Sequence, residues 1–119
     1  MNIDSNLLYG IYDLVSTQSF ENGVQTATRA TSGMFVFRRD QRLSVVSGAT
    51  DWVMAYTGSF KVEGDILQIQ VDSCVVKELE GTQIIRKIEK LDGKTLVLSM
   101  EKKNEGKRTV IEWKKVAPI

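Results

Sequence analysis

The chain has 119 residues, 42% hydrophobic and 26% charged, with a formal net charge of +1. This length fits one domain, 1–119, with a core that needs no disulfide or metal, and the near-neutral charge excludes a global field for nucleic acid or an anionic membrane. There is no histidine and a single cysteine, Cys74, which excludes Ser-His-Asp and Cys-His catalysis, histidine or thiolate metal sites and an internal disulfide, so no cofactor is expected.

The polar start Met1–Asn6 carries no leader pattern, and no run of apolar residues is long enough to span a membrane. A cytoplasmic location and no membrane insertion are the expectations. The first eight residues are read as a short helix capped by Asp4 or Ser5. Strand signals then recur roughly every eight to twelve residues, each closed by a turn signal. Gly10 to Phe20 ends at Asn22-Gly23, a tight-turn dipeptide. Val24 to Arg29 is a weaker strand. Met34 to Arg38 is apolar on both faces and is expected to be covered on both. Leu43 to Ser47 follows, then the loop Gly48 to Asp51, where Trp52 is read either as a cover over one end of the fold or as packed on its outside.

The clearest pattern is Ala55 to Asp65. Tyr56, Gly58, Phe60 and Val62 share one parity, and Thr57, Ser59, Lys61 and Glu63 share the other. Successive strand side chains point to opposite faces, so this strand has one buried and one wet face. Gly64-Asp65 turns it into Ile66 to Val71, which makes an antiparallel hairpin. Ser73 to Leu79, Thr82 to Glu89, Thr95 to Met100 and Arg108 to Val116 are read as further strands. Eight to ten short antiparallel strands in so short a chain close on themselves to remove unpaired edges. The fold class is therefore all-β, and the architecture a single up-and-down barrel or a sandwich.

Several segments together resemble a family. Gly10-Ile11-Tyr12-Asp13-Leu14-Val15-Ser16 is similar to the opening of bacterial lipocalin-like domains, with Tyr12 in place of their usual Trp. Gly33-Met34-Phe35-Val36-Phe37 with Asp40, the segment Ala55 to Asp65, Gly81-Thr82-Gln83 with Arg86, and Leu96-Val97-Leu98 with Trp113 follow in the family's order. The similarity runs from about Leu7 to Val116. It implies a calycin-like up-and-down barrel with a central apolar cavity, and it names no ligand.

Arg86 shares parity with Ile84 and Ile88, so it faces the barrel interior if they do. A buried guanidinium is costly unless it is paired. One reading makes it the anchor of a carboxylate or other anionic head group. The other places it near a barrel end, stacked on Trp113 or paired with Asp72 or Glu112; the resemblance implies such an Arg-aromatic plug. Tyr12, Phe35, Phe37, Tyr56, Phe60 and Trp113 are the aromatic candidates for a ligand pocket, with ordinary core as the alternative. Gly58 and Ser16 on inward parities leave room, and Tyr12 and Tyr56 offer hydroxyls inside. Met34, Met54 and Met100 are read as gap-fillers. Cys74 is read as a small buried residue, and Lys102 to Arg108 as a solvated hairpin tip.

The leading function is binding of a small hydrophobic molecule, with an anionic head if Arg86 is its anchor, by Tyr12, Phe35, Phe37, Tyr56, Phe60, Arg86 and Trp113, without cofactor. The alternatives are a cofactor-independent cyclase or isomerase working by confinement, with Arg86, Tyr12 and Tyr56 as its groups, and a filled-core interaction module. No nucleic-acid partner is expected. The chain is read as a monomer or as a homodimer through an apolar outer face at Met34 to Phe37.

Overall fold

Each alternating strand leaves half its side chains apolar, and the chain buries that half by wrapping one sheet around a single core. The computed structural model describes residues 3–29, 32–49 and 52–119, with the side chains of 27–29, 49, 52 and 103 outside the described set. Nine strands are present among these residues: β1 (Gly10–Glu21), β2 (Val24–Arg29), β3 (Ser32–Phe37), β4 (Arg42–Ala49), β5 (Trp52–Glu63), β6 (Ile66–Cys74), β7 (Gln83–Leu91), β8 (Thr95–Lys102) and β9 (Lys107–Ala117). Strands β3 to β9 pair in sequence order, every pair antiparallel.

Strand β1 closes the ring. Its first half pairs with β3, from Gly10↔Phe37 to Asp13↔Met34, while its other edge pairs with β9 from Ile11↔Ala117 to Glu21↔Lys107. Eight strands thus form a closed antiparallel barrel. The second half of β1 carries β2 as an additional strand outside the ring, from Thr17↔Arg29 to Glu21↔Val24. The hairpin joining β1 to β2 turns at Asn22 and Gly23, both with positive φ (52° and 82°), the backbone that an Asn-Gly turn supplies at least cost.

One end of the barrel is sealed by the N-terminal segment. A single 3-10 turn, Ser5–Leu7, starts at Asp4, whose carboxylate accepts from the Asn6 amide at 3.0 Å. It delivers Leu8 into the barrel, fully buried with Tyr12, Phe37, Leu67, Ile88 and Leu96. The Tyr12 hydroxyl donates to the carbonyls of Leu8 (2.9 Å) and Leu7 (3.2 Å), and Lys115 Nζ donates to the Leu7 carbonyl at 2.8 Å.

Three expectations are corrected. Ser73 to Leu79 is not a strand of its own. The β5–β6 register moves from Gly58↔Val71 to Thr57↔Ser73, so Asp72 is taken up as a bulge and β6 runs on through Cys74. The chain then makes a 3-10 turn, Lys77–Leu79, with the Cys74 amide donating to Glu80 Oε2 at 3.1 Å. Second, β3 is covered on one face only. Phe35 and Phe37 are buried, but Met34 is 49% exposed beside Val46 at 53%, because the barrel is a single layer and, among the described residues, no element packs outside these strands. Third, Gly58 does not leave room in the interior. A Cβ there would strike the Gln70 carbonyl oxygen and stand 3.1 Å from the Gln70 carbonyl carbon. The bulged β6 backbone fills the space that the missing side chain vacates.

Candidate functional site

The strands run between two unlike ends. At the sealed end, Phe37 stands edge-on to Tyr12 (5.8 Å between ring centroids) and to Phe60 (5.3 Å), and Tyr9 packs on Phe60 (6.4 Å). Three large rings and Leu8 fill the barrel's cross-section there. Toward the other end the inward positions carry smaller or more flexible side chains: Val45 and Ser47 on β4, Met54 on β5, Met100 on β8 and Ile111 on β9. A cavity of about 210 Å³ opens among them, and Phe35, Tyr56, Ile69, Arg86, Leu98 and Trp113 complete its lining.

Four of the seven candidate residues therefore meet at the cavity: Phe35, Tyr56, Arg86 and Trp113. The other three, Tyr12, Phe37 and Phe60, belong to the packed end. Tyr12 supplies no hydroxyl to the cavity, since that hydroxyl is committed to the Leu7 and Leu8 carbonyls. Burial pushes its pKa up, with Asp92 adding to the effect. The side chain of Trp52 and residues 50 and 51 of the expected cover lie outside the described residues. Met54 and Met100, read as gap-fillers, line the cavity, whereas Met34 faces outward. The inward parity of Met54 with Tyr56, and of Met100 with Leu98, carried that signal.

Among the described residues, Arg86 is the only charged residue of the lining. It is half-buried, on β7 opposite Leu67 of β6. Its Nη1 donates to the Ile85 carbonyl at 3.0 Å, and among the described residues no carboxylate lies within ion-pair distance. Neither expected acid reaches it: Asp72 is held outside by Arg42 at 2.9 Å, and no pairing joins Glu112 to Arg86. A guanidinium offers five N–H donors, so most of this group's donors have no acceptor among the described residues. Burial lowers its pKa from the ordinary value, with Tyr56 opposing. The Tyr56 phenol is raised by burial, and Arg86 opposes that shift. Trp113 stands edge-on to Phe35 (5.2 Å), and its indole N–H is the one buried side-chain polar atom without a hydrogen-bond partner among the described residues.

Outside the barrel a shallower groove of about 460 Å³ follows the outer face of β4 and β5, between Val46, Ala55 and Thr57 and the segment from Ser73 to Glu80. Tyr56 and Val45 border both spaces, so this sheet is the wall between them. Cys74, buried in that wall, places its thiol 3.9 Å from the Met54 sulfur. Among the described residues no cluster of three or more acidic or cysteine side chains gathers as a metal site, and no helix is long and apolar enough to cross a membrane.

No protein-family model and no curated protein sequence matches the chain. Solved structures do. A lipocalin-like protein from Bacteroides uniformis has a TM-score of 0.62 at 16% identity, over 92% of this chain and 99% of that one. An uncharacterized protein from Bacteroides eggerthii has a TM-score of 0.56, also at 16% identity, over 91% and 98%. The order of strands, the closure of β1 on β9 and these likenesses agree: the chain folds as a lipocalin-like β-barrel.

Proposed function

We propose that this barrel binds a small, largely hydrophobic molecule in its interior, without a cofactor and without turning it over. One observation carries the reading: an apolar cavity of about 210 Å³ is bordered by a guanidinium that no carboxylate among the described residues neutralises. A filled core would place aliphatic side chains where this space is, and an interior cation serving stability would have its counter-ion beside it. Phe35, Tyr56 and Trp113 give aromatic walls, Met54 and Met100 give conformable ones, and Ser47, Tyr56 and Arg86 offer polar contacts.

Native mass spectrometry of the purified protein tests this directly. The expected result is an adduct of low molecular mass that survives mild activation and leaves under harsher activation. Ser47→Phe, which fills the space from β4, should abolish it while the barrel stays folded. Retention of the same adduct by Ser47→Phe would show that the molecule sits elsewhere, on the outer groove first of all.

A further inference from the structure

The charge and the size of the cavity restrict its ligand further. This step rests on the cavity being the binding site. Every described residue of the lining other than Arg86 is neutral at pH 7. A ligand that covers Arg86 from water must balance its charge, so the ligand that best suits this lining brings one negative charge. A monoanion balances Arg86, whereas a dianion leaves uncompensated charge against Phe35, Ile69 and Leu98. A planar carboxylate also fits the guanidinium fork with two parallel hydrogen bonds.

Size sets the second limit. Pockets for drug-sized ligands run from roughly 300 to 1,000 Å³, and this cavity is smaller, at about 210 Å³. That leaves room for one substituted ring or a short alkyl chain. Growth is blocked at the sealed end by Tyr12 and Phe37, both fully buried. Long-chain fatty acids do not fit below the open end.

We propose that the barrel selects compact monocarboxylates, with the carboxylate on Arg86 and an aromatic or short aliphatic body among Phe35, Tyr56, Met54 and Met100. The polar end sits inside the barrel and the body extends toward the open end.

Calorimetric titration with a small panel tests this: benzoate, phenylacetate and hexanoate, their neutral amides, phenyl phosphate, and palmitate. Each compact acid is expected to bind at least about tenfold more tightly than its amide, the difference that charge-assisted hydrogen bonds supply. Phenyl phosphate and palmitate are expected to bind more weakly than benzoate. Arg86→Met should abolish the preference for acid over amide. It should remain folded, because it removes an unneutralised interior charge, and its thermal unfolding verifies that. Arg86→Lys keeps the charge without the planar fork and should restore part of the preference. Equal binding of acids and amides, unchanged in Arg86→Met, would overturn the carboxylate assignment and leave the cavity reading intact. Tighter binding of palmitate than of hexanoate would overturn the size limit. Failure of every acid and every amide to bind would overturn both readings together.

Discussion

Replacing Gly58 by alanine separates two accounts of the barrel wall. On the sequence pattern alone, Gly58 is an inward position kept small to hollow the interior. In the structure its missing side chain makes way for the β6 backbone, where Asp72 is bulged out of register. A Cβ at 58 would overlap the Gln70 carbonyl oxygen and come within 3.4 Å of the Val71 Cα. Main chain cannot rotate aside as a side chain does, so the cost belongs at the upper end of the overpacking range, about 3 kcal/mol. The smaller entropy of an unfolded alanine offsets about 0.5 kcal/mol of this. For a chain of 119 residues the unfolding entropy is roughly 0.25 kcal/mol/K, so the net loss lowers Tm by roughly 10 °C. Thermal unfolding followed by circular dichroism measures it, with Lys61→Ala, on the exposed face of the same strand, as the reference. If Gly58→Ala melts within roughly 2 °C of the parent while losing its cavity ligand, Gly58 serves the cavity and the bulge argument fails.

Two further predictions concern stability. Tyr12→Phe removes a hydroxyl that donates to the Leu8 carbonyl at 2.9 Å and the Leu7 carbonyl at 3.2 Å, and should cost about 1 to 2 kcal/mol in urea unfolding; a neutral result would mean that the N-terminal seal does not depend on this contact. Glu89 accepts from the Ser99 hydroxyl at 2.8 Å and from Arg108 Nη2 at 3.1 Å. The Ser99 bond first, then Arg108 and the charge of Lys87, hold its carboxyl below the usual carboxylate range against the opposing effect of burial. A carboxylate depressed on folding contributes stability that is present above its unfolded pKa, about 4.5, and is lost as pH falls through the lower folded value. Glu89→Gln should therefore lower the urea midpoint at pH 7 and converge on the parent in strong acid; a gap of the same size at both pH values would contradict the linkage.

Much of the barrel was legible because its signals are local. Alternation between Tyr56 and Val62 needs only the strand's period of two, and Asn22-Gly23 needs only its own backbone preference. The inward parity of Arg86 was legible for the same reason. What escaped depends on partners distant in sequence. The bulge at Asp72 reverses parity, so Cys74 points inward beside Met54 although Val71 does too; no pattern within β6 announces that, because register belongs to the pair β5–β6. The role of Gly58 was misread on the same account. The aromatic set was also undivided. Tyr12, Phe37 and Phe60 share an inward parity with Phe35, Tyr56 and Trp113, and parity assigns a face without assigning an end of the barrel.

That division follows from what stands across the barrel from each ring. Phe35 and Phe37 stack at 4.2 Å between centroids and lie two residues apart on β3, yet one borders empty space and the other does not. Phe37 meets Tyr12 and Phe60, with Leu8 inserted from the N-terminal segment. Phe35 faces Trp113, and the neighbouring inward positions are Val45 and Ser47 on β4. A barrel of this strand number holds side chains or one small ligand, and here packed side chains and a cavity stand in series. The packed end can then supply stability independently of occupancy. The hollow end can tolerate an interior cation because Tyr12, Phe37 and Leu8, the three largest fully buried side chains, do their packing outside its lining. The packed core and the proposed binding cavity are thereby placed in different halves of one continuous sheet. Substitutions at Leu8 or Phe37 should move Tm, and substitutions at Ser47 or Arg86 should move binding.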